Sequence, residues 1–92
     1  MSAAEAFRAF VGVDVVVDTT SSYVFIGKLV EATELALTLA DVDVHDRAES
    51  PSTKERYVME AKKFGIKVNR KSVTIRVETV MCVSKLEDVI EY

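Results

Sequence analysis

The amino-acid sequence predicts a mainly-β protein: a small, strongly bent antiparallel barrel of five strands, with an N-terminal helix and a helical insert between strands 3 and 4. Three observations lead to this fold class. Apolar and polar residues alternate over five short segments, which is the period of half-buried strands. Two other segments carry helix start and stop signals. The chain has 92 residues, so residues 1–92 are expected to form one domain, and five short strands are too few for a sandwich of two sheets.

The N-terminal segment predicts a short helix. Ser2 and Glu5 have the spacing of a capping box, an alanine-rich run follows, and Gly12 stands where a glycine ends many helices. Phe7 and Phe10 share one side of this helix, so we expect them to cover an apolar opening of the barrel.

The next three segments predict the first three strands. Residues 13–18 alternate in polarity, and residues 23–30 are apolar on both faces, with Gly27 placed to allow a sharp bend. Leucines alternate over residues 35–39, and the apolar phase changes at Ala40 and Asp41 without a turn signal. Such a change of phase predicts a β-bulge within one long strand.

The helical insert is expected over about residues 50–65. Ser52 and Glu55 form a second capping box, Pro51 stands just before it, and Gly65 ends the segment. One apolar stripe at helical spacing predicts docking onto the barrel or onto a neighbouring subunit; its members are Tyr57, Val58, Ala61 and Phe64.

Residues 73–77 and 80–84 alternate again and predict the last two strands. The faces of residues 23–30 and the edge formed by residues 73–83 are too apolar to be left in water. Open strand edges also pair readily with other strands. Together these features predict a closed homo-oligomer.

Charge is distributed unevenly along the chain. Residues 1–50 carry nine acidic and three basic side chains, whereas residues 51–86 carry three acidic and nine basic ones. The net charge of −3 argues against indiscriminate binding to nucleic acid. Two roles for the basic segment remain open. Asn69, Arg70 and Lys71 could contact RNA phosphates while Tyr57 or Phe64 stacks a base, or the basic segment could face the acidic half of the next subunit.

The inventory of reactive side chains predicts neither an enzyme nor a cofactor-binding protein. There is one histidine and one cysteine, and no glycine-rich phosphate loop or nucleophile turn is present in the sequence. Asp41, Asp43 and His45 share a strand face, but no second cluster completes a metal shell, so we expect no metal site. Cys82 is interpreted as a small apolar residue in a reducing compartment. Without a secretory signal or a run of about 20 apolar residues, a cytoplasmic location without membrane contact is expected.

Beside these inferences, the sequence resembles the Sm-like (LSm) family. The residues that carry the first motif are Val13-Asp-Val15, then Tyr23-Val-Phe-Ile-Gly27-Lys-Leu29, then Leu35-Ala-Leu37-Thr-Leu39-Ala-Asp41. The second motif corresponds to residues 75–83, in which Arg76 matches the motif arginine. The resemblance implies a small barrel whose fourth strand pairs with the fifth strand of a neighbour, in a ring of six or seven copies.

The departures from the family concern RNA binding. Members that bind uridine-rich RNA carry an aspartate and an asparagine in the turn that corresponds to residues 31–35, where this chain has neither. Val77 replaces the glycine that follows the motif arginine, and Glu31 and Glu34 would repel phosphate. The resemblance therefore implies a ring-forming RNA-binding module with an altered pocket, with Asn69, Arg70, Lys71 and Arg76 as the RNA contacts. The alternative is a homo-oligomeric scaffold or assembly protein that does not bind RNA.

Overall fold

The computed structural model describes residues 2–49 and 53–91. The main elements, in chain order, are α1 (Ala3–Arg8), β1 (Asp14–Thr19), β2 (Tyr23–Ala32), β3 (Ala36–Asp46), α2 (Lys54–Phe64), β4 (Arg70–Arg76) and β5 (Val80–Lys85). Two short 3-10 turns, Val77–Thr79 and Leu86–Asp88, follow β4 and β5. The five strands form one antiparallel sheet in the order β4-β3-β2-β1-β5. The predicted fold class, with its leading helix and helical insert, is confirmed.

The concave side of the sheet encloses the larger of two apolar clusters. The inner cluster consists of Val15, Val17, Leu29, Leu37, Leu39, Val42 and Ile75. The N-terminal helix begins at the predicted cap, where the Ser2 hydroxyl accepts a hydrogen bond from the Glu5 amide at 3.1 Å. Phe7 and Phe10 pack against the inner cluster, in agreement with the covering role expected of them.

None of the helices in the described ranges is both long and apolar enough to cross a membrane.

The other side of the sheet is covered by the insert. The outer cluster consists of Val16, Val24, Ile26, Val58, Ala61 and Leu86. Val16 therefore faces α2 while its neighbours Val15 and Val17 face the inner cluster. The strand β1 is thus buried on both faces, whereas its alternating polarity predicted burial of one face. The strand β2 is covered in the same way, because the outer-cluster residues Val24 and Ile26 lie under α2. Most of both faces of β2 is thus covered within one chain, whereas Tyr23 and Val30 remain 44% exposed. The argument for self-association therefore rests mainly on the sheet edges.

The predicted bulge in β3 is present. The register between β2 and β3 shifts between Ile26 and Lys28, and Asp41 has a positive φ of 53°. One residue is thereby accommodated out of phase, so Val42 faces the inner cluster together with the leucines before it. Gly27 lies at this point: a Cβ atom there would lie 3.1 Å from the Ala40 carbonyl oxygen and 3.2 Å from the Val42 Cα. A side chain here would require the backbone of β3 to move by a few tenths of an ångström, so glycine suits this close approach.

The insert docks through fewer residues than its stripe predicts. Val58 and Ala61 are 4% and 6% exposed, but Phe64 is 74% exposed. The prediction that Phe64 anchors the helix is wrong. The reason lies at the helix end: α2 stops at Phe64, Gly65 has a positive φ of 97°, and the chain turns so that Ile66 packs against the outer cluster instead. At the other end Thr53 is the N-cap, and the predicted capping residue Ser52, like Pro51, lies outside the described residues.

This arrangement makes a direct prediction for stability. Phe64→Ala should lower the free energy of unfolding by less than about 0.5 kcal/mol, because the ring is largely in solvent already. Val58→Ala, in the same helix, should cost more than about 1 kcal/mol because it removes buried methyl groups. Urea denaturation of both variants at one protein concentration measures the difference. Equal losses for the two variants would contradict the observed docking.

Candidate nucleic-acid interface

The two turns that carry the family-like motifs meet at one end of the barrel. The Val77 amide donates a hydrogen bond to the Leu35 carbonyl at 2.8 Å, and Ala36 at the start of β3 pairs with Arg76 at the end of β4. We call this the turn end, comprising residues 33–35 and 76–79. The two segments that carry the sequence motifs therefore lie side by side at this end of the barrel.

The polar groups of the turn end are engaged in its own structure. The Thr33 hydroxyl accepts hydrogen bonds from the amides of Leu35 at 3.3 Å and Ala36 at 3.1 Å, so it closes its own turn. The Arg76 guanidinium forms an ion pair with the Glu78 carboxylate. Both partners are exposed, so this pair contributes little stability, but it offsets the one positive charge of the turn end. The site is therefore poor in groups that attract phosphate.

Asn69 has a structural role at the opposite end of β4. Its side-chain oxygen accepts a hydrogen bond from the Val44 amide at 3.0 Å. Its side-chain nitrogen donates to the Asp43 carboxylate at 3.0 Å and to the Val44 carbonyl at 3.1 Å. Asn69 thus extends the pairing of β3 beyond the first residue of β4 and supplies a partner to Asp43, which is buried. The side-chain amide of Asn69 is therefore engaged in hydrogen bonds within the chain.

Arg70 and Lys71 are exposed at the start of β4. The Arg70 guanidinium donates to the Asn69 carbonyl at 2.9 Å, and neither residue forms an ion pair within residues 2–49 and 53–91. Arg76 is six residues further along the same strand, so the two ends are separated by about 20 Å. The structure therefore does not bring the four predicted RNA contacts together.

A second basic surface, not among the predicted contacts, surrounds the end of α2. The Lys63 ammonium lies 5.5 Å from the centre of the Phe64 ring. Lys67 and Phe64 border the same small cleft, of about 90 Å³, together with Asp43, Tyr57 and Glu60. We call Lys63, Phe64 and Lys67 the helix-end surface. Sequence reasoning pointed to Phe64 as a base-stacking residue, but only the structure shows that its ring is exposed.

Tyr57, the other candidate for stacking, is already stacked. Its ring lies 3.7 Å from the His45 ring at an angle of 15°. Burial, followed by the neighbouring Asp43 carboxylate, raises the pKa of Tyr57. The Tyr57 hydroxyl and the His45 Nε2 atom have no hydrogen-bond partner among the described residues. Asp43 binds Asn69, His45 stacks on Tyr57, and Asp41 lies in the bulge. The three residues that were considered together for a metal site therefore have different environments.

The environment of Cys82 is more polar than its interpretation as a small apolar residue implies. It is exposed on β5, and its thiol donates to the Asp18 carboxylate at 3.3 Å. The same carboxylate pairs with the Lys54 ammonium of α2 at 2.6 Å. Partial burial and the Asp18 carboxylate raise the pKa of Cys82. The thiol is therefore kept protonated, which makes it a weak nucleophile.

No protein-family model matches the chain, and no curated protein matches it in sequence. Among solved structures, it is similar to the Sm protein of Pyrococcus abyssii in complex with a uridine heptamer. The TM-score is 0.60 and the identity 18%, over 88% of this chain and 93% of the other. It is also similar to a chain of the NatC complex bound to CoA, with a TM-score of 0.55 and 17% identity over 84% and 79%. At these identities the likeness concerns the architecture: the chain has an Sm-like fold.

Proposed function

We propose that residues 1–92 form a single Sm-like domain that assembles into a closed homo-oligomer, and that the oligomer binds single-stranded RNA at an altered site. One observation carries the assembly: β4 and β5 are the two outer strands of the sheet, and each is paired on one side only. Their free backbone groups provide a template for a strand from another copy.

The two edges suit one another. In a heterologous contact, β4 of one copy adds to β5 of the next, and repetition of that step closes a ring when the rotation between copies divides a full turn. Met81 on β5 is 67% exposed, and such an apolar side chain would be covered by the added strand. The resemblance to Sm-like proteins supports this pairing and a ring of six or seven copies.

RNA binding is supported by the structural neighbour and by the helix-end surface. The neighbour from Pyrococcus abyssii holds a uridine heptamer. In this chain the cation of the turn end is paired, whereas Lys63 and Lys67 lie beside the exposed ring of Phe64 and form no ion pair with another described residue. Cations beside an aromatic ring that a base can stack on are typical of binding sites for single strands. We therefore place the phosphate attraction at the helix-end surface rather than at the turn end.

A specific observation also favours the alternative, a scaffold or assembly protein that does not bind RNA. Arg76 matches the motif arginine, but it is paired with Glu78, and Glu31 and Glu34 lie in or near the turn end. A chain that kept the strand edges and lost the RNA pocket would have these features.

One set of measurements separates the two functions. Light scattering at micromolar concentration should show a closed oligomer; a stable monomer contradicts the assembly. Fluorescence anisotropy with a labelled single-stranded RNA should then show salt-dependent binding. In Lys63→Ala with Lys67→Ala, we expect weaker binding and a log–log salt slope smaller by about 0.7 for each lysine–phosphate interaction that the substitutions remove.

Arg8→Ala is the control, because Arg8 is an exposed cation on α1. That helix packs against the inner cluster, whereas α2 packs against the outer cluster. Arg8→Ala should leave RNA affinity unchanged. Absence of binding by the wild-type oligomer at low salt would eliminate RNA binding and leave the scaffold function.

A further inference from the structure

The two free edges of the sheet carry opposite charges at the ends that would meet in an oligomer. At one edge, β4 begins with Arg70 and Lys71, both exposed. At the other edge, β5 ends at Lys85, and the 3-10 turn that follows presents Glu87 and Asp88 to solvent. None of these five side chains takes part in an ion pair within the described part of the chain.

The acidic turn is held firmly in place. Leu86 is buried in the outer cluster, so the two residues after it have a defined position at the end of β5. The Val89 amide closes the turn onto the Leu86 carbonyl at 3.2 Å, and the Lys62 ammonium of α2 donates to the Val89 carbonyl. A pre-ordered pair of carboxylates loses little conformational entropy when it binds a cation.

Antiparallel pairing of the two edges brings these charges together. When β4 of one copy runs antiparallel to β5 of the next, the start of β4 lies beside the end of β5. A shift of register by two residues moves the contact along the strand but keeps Arg70 near residues 84–88. Parallel pairing would instead place Arg70 beside Val80, the first residue of β5, where the nearby acidic residue, Glu78, is already paired with Arg76.

From this juxtaposition we propose that Arg70 and Lys71 of one copy form ion pairs with Glu87 and Asp88 of the next copy, and that these pairs set the direction and register of the contact. This inference rests on the self-assembly proposed above and identifies the residues of its interface. Lys85, the last residue of β5, is a like charge at this contact, but it is half-buried, and two carboxylates outweigh it. Lys28 and Lys62 border the same cleft as Glu87, and Lys62 donates to the Val89 carbonyl. The charges at the opposite strand ends, Arg76 and Glu78, already pair within one chain and leave no charge for the neighbour.

The assignment decides between the two roles that the sequence leaves open for Arg70 and Lys71. A phosphate-binding role needs cations that stay exposed in the oligomer. Because both residues begin an edge strand, the next copy would cover that edge and supply two carboxylates to them. Lys63, on α2, remains outside this contact.

Charge reversal tests the inference. Variant A is Arg70→Glu with Lys71→Glu, variant B is Glu87→Lys with Asp88→Lys, and variant C combines all four substitutions. The mass of each assembly is measured by native mass spectrometry and light scattering between about 50 and 500 mM salt, because surface ion pairs are progressively screened over this range. Circular dichroism checks that each variant is folded. We expect A and B each to dissociate at a protein concentration at least about tenfold higher than the wild type, and C to assemble as the wild type does. Arg8→Glu with Lys63→Glu, a double reversal of exposed cations on α1 and α2, is the matched control and should stay assembled.

The possible outcomes are distinct. A monomeric wild type refutes the proposed assembly and this inference with it. An assembled wild type whose variant A remains assembled but binds RNA more weakly refutes the inference alone and assigns Arg70 and Lys71 to RNA. Dissociation of A and B without recovery in C shows that the two charge pairs do not contact each other. Recovery in C, with both single reversals dissociated, supports the proposed contact.

Discussion

Gly27→Val is expected to destabilise the protein by about 3 kcal/mol, the upper part of the range for inserting atoms into a packed core. The Cβ atom would lie 3.1 Å from the Ala40 carbonyl oxygen and 3.2 Å from the Val42 Cα, and both neighbours are backbone atoms of β3 that cannot move aside singly. The β-branched side chain adds further atoms at the point where the register of β2 and β3 shifts. For a domain of this size, the melting temperature should fall by at least about 10 °C.

The neighbouring residue provides the control. Lys28 is exposed on the same strand, so Lys28→Val also introduces a valine into β2 but places its side chain in solvent rather than in the core. We expect its effect to remain within about 0.5 kcal/mol. Denaturation must be compared at one protein concentration, because subunit association stabilises the folded state. A tolerated valine at position 27 would mean that β3 does not approach β2 as closely as the structure shows.

Asn69→Leu is expected to cost about 2 kcal/mol, because it leaves a buried carboxylate without its partner. Asn69 donates a hydrogen bond to the Asp43 carboxylate at 3.0 Å, and it also bonds both backbone groups of Val44. Leucine has a similar shape and can make none of these bonds. The loss should appear in the free energy of unfolding and not in the RNA affinity of the folded protein.

A double-mutant cycle with Asp43→Leu isolates this contact. Once the Asp43 carboxylate is removed, substitution of Asn69 no longer breaks the hydrogen bond between the two side chains. The double variant should therefore lose less stability than the sum of the two single variants. Full additivity would show that Asn69 and Asp43 do not interact. A selective loss of RNA binding at unchanged stability would instead return Asn69 to the RNA contacts that the sequence predicts.

Local patterns in the sequence were sufficient to predict the elements. Alternating valines and leucines define the strands, because period-two alternation buries one face of a sheet. Ser2 and Glu5 mark the start of α1, and Gly65 marks the end of α2. The change of apolar phase at Asp41 correctly indicated the bulge, since an inserted residue moves every later side chain to the opposite face.

The candidate site was less accessible to such reasoning. The sequence grouped Asn69, Arg70 and Lys71 with Arg76 as RNA contacts, but a strand of seven residues separates their positions at its two ends. The hydrogen bonds of Asn69 to Asp43 and Val44 join residues about 25 positions apart. A local sequence pattern does not predict a contact between residues so far apart in the chain. The exposure of Phe64 likewise followed from where Gly65 turns the chain, although its spacing matched the buried stripe.

The sequence by itself therefore determined the order and type of the elements, the two-sided apolarity of β2, and the charge asymmetry between residues 1–50 and 51–86. Only the tertiary structure decided which apolar faces are covered within the chain, since α2 packs over Val16, Val24 and Ile26. It also decided which charges are paired: Arg76 binds Glu78, whereas Arg70 and Lys71 lie on an edge and pair with no carboxylate of the described ranges. The physical reason is that propensity and periodicity act over a few neighbouring residues, whereas burial and ion pairing depend on segments that meet only when the chain folds.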